Sequence, residues 1–85
     1  MKEETIQKVS NILNIWNPLG EKASTVEDLD GYRTEAIDIL STYSFFPGMT
    51  VHKAVKSVIE GAFEITVDES GLNDAVEKIS KIIDK

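Results

Sequence analysis

The chain has 85 residues, enough for one domain and too few for two stacked folds, because domains run to about 50–250 residues. Hydrophobic residues make up 41%, a globular rather than a disordered composition, so a single domain over residues 1–85 is expected. Fifteen Asp and Glu against nine Lys and Arg give a net charge of −6, the wrong sign for tracking a phosphate backbone or an anionic membrane.

The absence of cysteine removes disulfides, thiol chemistry and thiolate metal sites together, and makes a reducing cytoplasm the expected compartment. Met1-Lys2-Glu3-Glu4-Thr5 is charged and no long apolar run follows it. Neither a signal peptide nor a spanning helix is predicted.

Ile6, Val9, Leu13 and Trp16 recur at steps of three and four, with Ile12 and Ile15 widening the stripe, which predicts an amphipathic helix over 3–16. Trp16-Asn17-Pro18-Leu19-Gly20 is its exit: the proline ring disfavours helical geometry at Asn17, and Gly20 suits a turn. Trp16 is predicted to bury its rings here while Pro18 and Gly20 redirect the chain. Its replacement by alanine is then expected to cost about 3–5 kcal/mol.

Ser24-Thr25-Val26-Glu27 fits a capping box, so a second helix is predicted from there to about Tyr43, with Leu29, Tyr32, Ala36, Ile37 and Leu40 on its apolar side. Gly31 weakens its first turns by about 1 kcal/mol relative to alanine. Phe45-Phe46-Pro47-Gly48 ends it. The aromatic run Tyr43, Phe45 and Phe46 either closes one end of the core or stands exposed as an anchor for a partner; the first is expected, since so short a chain can spare few large side chains from its interior.

Thr50 is expected to cap a third helix carrying Val51, Ala54, Val55, Val58, Ala62 and Phe63, broadened by Ile59 and Ile65, the most apolar of the set. A fourth helix follows Asp68-Glu69-Ser70-Gly71, with Leu72, Val76, Ile79, Ile82 and Ile83 inward and Thr66, Asp68 or Ser70 as its cap. Glu4/Lys8, Asp74/Lys78 and Glu77/Lys81 are ordered i,i+4 pairs. The expected fold is all-α, a four-helix bundle.

Catalysis needs a nucleophile with a base, acids of separated pKa, or a metal, and the inventory is thin. His52 is the sole imidazole, beside Lys53 and Lys56, and reads as a surface residue. The close acids Asp28/Asp30 and Glu35/Asp38 are assigned no reaction. The chain is therefore expected not to be an enzyme, with no catalytic residues, no metal site and no cofactor.

The best calcium frame runs from Thr66 to Glu77. Asp68, Ser70, Gly71, Asp74 and Glu77 fall on the third, fifth, sixth, ninth and twelfth positions of a helix–loop–helix calcium loop, but Thr66 takes the first place, where an Asp is needed. A helix-capping turn rich in acids explains the same residues. Acyl carrier proteins are also small, acidic and four-helical, yet Gly71 interrupts their Asp-Ser-Leu signature. Ser70 also leaves only fifteen residues after it, too few for the two helices that should follow.

Charge is the remaining signal. Glu60, Glu64, Asp68, Glu69, Asp74 and Glu77 give residues 60–77 a local −6 with no Lys or Arg, and residues 21–38, including Glu27, Asp28 and Asp30, hold six acids against two bases. Residues 39–59 carry Lys53 and Lys56 and no acid. The expected function is a non-enzymatic protein–protein interaction module that offers one acidic face to a basic protein partner, with no nucleic acid and no membrane involved. Open alternatives are an immunity- or inhibitor-type protein binding a cationic partner, a calcium or small-ligand sensor on 66–77, and a self-associating homo-oligomer.

The order of parts, an apolar first helix ending in Trp16-Asn17-Pro18-Leu19-Gly20, then acids, then Tyr32 with Glu35 and Ile37, resembles the YugE-like family. This is a group of small helical proteins of Bacillus-type bacteria, also known as domain-of-unknown-function family 1871. The resemblance spans essentially the whole chain and implies an all-helical cytoplasmic bacterial protein. That family has no established activity, so no catalytic residue carries over.

Overall fold

Four helices make up most of the computed structural model, which describes residues 2–20 and 30–83 of the chain. They are α1 (Glu3–Trp16), α2 (Arg33–Phe45), α3 (Val51–Phe63) and α4 (Glu69–Ile83), with no strand among the described residues. The fold is an all-α four-helix bundle. Each of α1 and α3 packs against both α2 and α4, so the helices form a square whose diagonals do not touch. The radius of gyration, 11.8 Å, matches the roughly 12 Å of a folded chain this long.

The packing fixes the directions. Lys2 and Thr5 at the start of α1 share a groove with Leu40 and Phe45 from the end of α2 and Ile83 from the end of α4. Tyr43 of α2 shares another with Val51 at the start of α3. Successive helices therefore alternate up and down. The start of α1, the end of α2, the start of α3 and the end of α4 meet at one end of the bundle, called here the α2–α3 end.

The core follows from the spacing of apolar residues. Val9 and Leu13 of α1, Ile39 of α2, Val55 and Ile59 of α3, and Leu72 and Ile79 of α4 are fully buried, each worth about 1.5–3 kcal/mol in apolar transfer. Ile15 departs from its predicted place on the stripe: it is 79% exposed, because α1 already meets its two neighbours through Ile6, Val9 and Leu13. Ala62 of α3 is likewise exposed.

Helix ends explain the loops. Asn17 takes a left-handed conformation (φ 49°) and closes α1 by donating its N–H to the Leu13 carbonyl at 2.7 Å. Thr50 caps α3 as predicted, its hydroxyl oxygen accepting from the Lys53 N–H at 3.1 Å. Of the three candidate caps for α4, Asp68 takes the role, accepting from the Gly71 N–H at 3.2 Å and the Ser70 hydroxyl at 2.6 Å.

The second helix starts later than the sequence pattern suggests. The capping box at Ser24 and Glu27 lies outside the described residues. Within them, the chain does not run as one helix through Gly31: a single 3-10 turn, Asp30–Tyr32, precedes α2. Gly31 and Tyr32 both have positive φ, 61° and 64°. Glycine adopts this freely, but an aromatic residue there costs about 1–2 kcal/mol and must be held by its surroundings.

Candidate functional site

Tyr32 is held from both sides. Its ring is fully buried and meets Phe63 edge-on with centroids 6.1 Å apart. Its hydroxyl donates to Asn17 Oδ1 at 2.6 Å and accepts from the Leu19 N–H at 3.3 Å. Asn17 Nδ2 in turn donates to the Gly20 carbonyl at 3.2 Å. The Trp16–Gly20 turn and the entrance to α2 are thus one hydrogen-bonded unit, and burial raises the Tyr32 hydroxyl pKa.

Trp16 is only partly buried, contrary to its predicted role as a core anchor. Its indole lies across α4 at Gly71, where an added Cβ would come within 2.6 Å of Nε1. Gly71 is the recess that receives it. Pro18 is half-buried in the turn, and Gly20 has φ 59°.

The predicted acidic face is largely tied into the fold. Glu60 Oε2 accepts from the Val67 N–H at 3.1 Å across the α3–α4 connection, and Asp68 caps α4. Glu69 reaches back to α3, with Lys56 Nζ at 3.0 Å and His52 Nε2 at 3.4 Å. Hydrogen bonds from Lys56 and then His52 lower the Glu69 carboxyl pKa, and the Ser70 hydroxyl followed by the Gly71 N–H lowers that of Asp68. Asp74 and Glu77 pair with Lys78 and Lys81 at 3.0 and 3.6 Å. Glu64 is exposed at the left-handed end of α3. Glu27 and Asp28 lie outside the described residues, and Asp30 is placed in the 3-10 turn.

The calcium frame does not close into a loop, since helix begins at Glu69 and carries Asp74 and Glu77 along α4. Among the described residues no three His, Asp or Glu converge as a metal site would require. His52 sits half-exposed against Glu69 and serves as part of an α3–α4 tether.

Two features escaped the sequence pattern. Glu35 on the first turn of α2 is buried, and among the described residues its Oε1 has no hydrogen-bond partner. Burial raises its pKa and Asp38 adds to the rise. Periodicity does signal Glu35 weakly, because it falls four residues before buried Ile39.

The larger surprise is at the α2–α3 end. Phe45 and Phe46 are 78% and 58% exposed, so of the aromatic run only Tyr43 packs against the core as expected. Phe45 is the last residue of α2 and Phe46 its C-cap, so both rings stand where the helix gives way to the turn through Pro47 and Gly48. Beside them lie two grooves. One, between the ends of α1, α2 and α4, is lined by Lys2, Thr5, Leu40, Tyr43, Phe45 and Ile83 among others. The other, between α2, α3 and α4, includes Tyr43, Met49, Val51, His52 and Val76. Tyr43 belongs to both and so lies between them. This end of the bundle is the candidate site.

Compared with known proteins, the chain matches no family model, no curated protein and no solved structure. No described helix is long and apolar enough to cross a membrane.

Proposed function

We propose that this protein is a non-enzymatic interaction module that docks another protein through the Phe45–Phe46 end of its bundle. The observation that carries the reading is the exposure of two adjacent aromatic rings beside apolar grooves. Large apolar side chains left together in water mark association surfaces, and aromatic residues dominate binding energy at such surfaces. The non-enzymatic part is supported by the use of His52, Glu69 and Asp68 in tethering and capping.

The fold also bears on which surface docks. Glu60, Asp68, Glu69, Asp74 and Glu77 already hold intramolecular partners. A cationic toxin or other basic partner at that face competes with those contacts, whereas nothing described covers Phe45 and Phe46. The resemblance to the YugE-like family belongs to the same proposal and rests on the Trp16-Asn17-Pro18-Leu19-Gly20 turn.

Affinity capture from the native cell tests the reading. The parent chain is expected to retain a discrete protein that the Phe45→Ser/Phe46→Ser double variant loses while keeping a cooperative melt. Equal retention by both chains contradicts it.

A further inference from the structure

Resting on that docking reading, we propose that the occupant of the Phe45–Phe46 end is an apolar segment flanked by carboxylates on another protein, an acidic amphipathic helix. The argument is one of charge. The chain carries −6 overall, yet residues 39–59, which form the end of α2, the turn and most of α3, contain no Asp or Glu. Among the described residues lining the two grooves no carboxylate is present; Lys2 lines the first, and His52 lines the second with its ring against Glu69 of α4.

The surroundings extend this pattern. Lys53 is exposed on the first turn of α3, next to His52. The acids nearest this end along α1 are engaged: Glu3 in a two-pronged pair with Arg33, and Glu4 with Lys8 at 3.2 Å. Among the described residues, further acids collect toward the opposite end, with Glu35 and Asp38 on the first turns of α2, Glu60 on the last turn of α3 and Glu64 just past it.

Among the described residues the bundle is therefore electrically polar along its axis, acidic where the helices carry no exposed aromatic and neutral to basic where they do. A basic helix approaching Phe45 meets Lys2 and Lys53 and is drawn toward the wrong end. An acidic one is steered to the grooves, where its apolar face displaces water from Phe45, Phe46 and Tyr43. Grooves between helix ends take amphipathic helices through apolar anchors one turn apart.

Two synthetic helical peptides of about 15 residues, with one shared Leu/Phe face and a polar face of either all Glu or all Lys, form the test. Fluorescence anisotropy is expected to show the Glu peptide binding at least about tenfold tighter than the Lys peptide, with the gap closing near 0.5 M salt. The Lys2→Glu/Lys53→Glu variant should reverse the order, and Phe45→Ser/Phe46→Ser should abolish binding of both.

Tighter binding of the Lys peptide that still depends on Phe45 and Phe46 overturns the charge inference and leaves the docking site standing. Binding of either peptide that ignores the double serine variant overturns the docking reading itself. Binding of neither peptide at millimolar concentration overturns the inference. So does a dimer in sedimentation velocity that the double serine variant dissolves, because the occupant is then a second copy of the chain.

Discussion

The Tyr32 hydroxyl donates a 2.6 Å hydrogen bond to Asn17 Oδ1, joining the exit of α1 to the entrance of α2. The same oxygen accepts from the buried Leu19 N–H, so one phenol satisfies a group that the turn brings inside and holds the exposed Asn17 side chain beside it. This contact is what holds an aromatic residue at φ 64°. Tyr32→Phe keeps the ring and removes the partner, and a buried group left without one costs about 1–3 kcal/mol. Urea denaturation should report a loss of that size, and an unchanged midpoint contradicts the assignment.

Trp16 and Gly71 form the second cross-helix fit. Alanine ordinarily favours a helix over glycine by about 1 kcal/mol, but at position 71 its Cβ meets the indole at 2.6 Å. Gly71→Ala should destabilise by about 1–3 kcal/mol through overpacking, with the emission of the chain's single tryptophan moving to the red. Trp16→Ala should cost about 2 kcal/mol, less than a fully buried aromatic. In the double variant the two costs should fall short of their sum, because removing the indole removes the clash. A Gly71→Ala chain that is more stable than the parent contradicts the fit.

Glu35 gives the pH dependence. Its folded-state pKa is raised by burial, so the folded state holds the proton more tightly than the unfolded state. Its favourable contribution is complete below the unfolded carboxyl value and is lost as pH rises through the folded one. Glu35→Gln should therefore be more stable than the parent at neutral pH, with the advantage shrinking on acidification through the carboxylate range. Denaturation midpoints from pH 4 to pH 8, a span of about four units around that range, check this. A Gln variant less stable than the parent at neutral pH contradicts it.

Phe45 and Phe46 contribute little to folding in this structure. Phe45→Ser/Phe46→Ser should change stability by no more than about 1 kcal/mol, the sum of two surface effects of about 0.5 kcal/mol each. Burial as a core lid predicts instead a loss of about 6 kcal/mol or more. A thermal melt separates the two.

The sequence makes the helices legible because burial repeats at helical spacing. Val9 and Leu13, Val55 and Ile59, and Leu72 and Ile79 all lie where the spacing puts them, and Glu4/Lys8, Asp74/Lys78 and Glu77/Lys81 all form. These are local relationships. The break before α2 was hidden because Tyr32 is left-handed only through partners thirteen and fifteen residues away. Gly71, read from the sequence as part of the segment before the fourth helix, gives no local sign of its role for the same reason, the cause being the indole on α1. Phe45 and Phe46 show the limit of hydrophobicity as a guide: two phenylalanines at a helix end read alike whether they fold inward or project outward. The acids were visible as charge, but their commitment to caps and tethers depends on the α3–α4 packing.

The account stands or falls on whether the Phe45–Phe46 end meets another molecule in the cell. Photo-crosslinking with a benzoylphenylalanine at position 45, compared with one at position 64 on the acidic side, measures this directly. The account predicts a discrete crosslinked protein from position 45 and none from position 64. A crosslink from position 64 alone contradicts it and returns the docking surface to the acids.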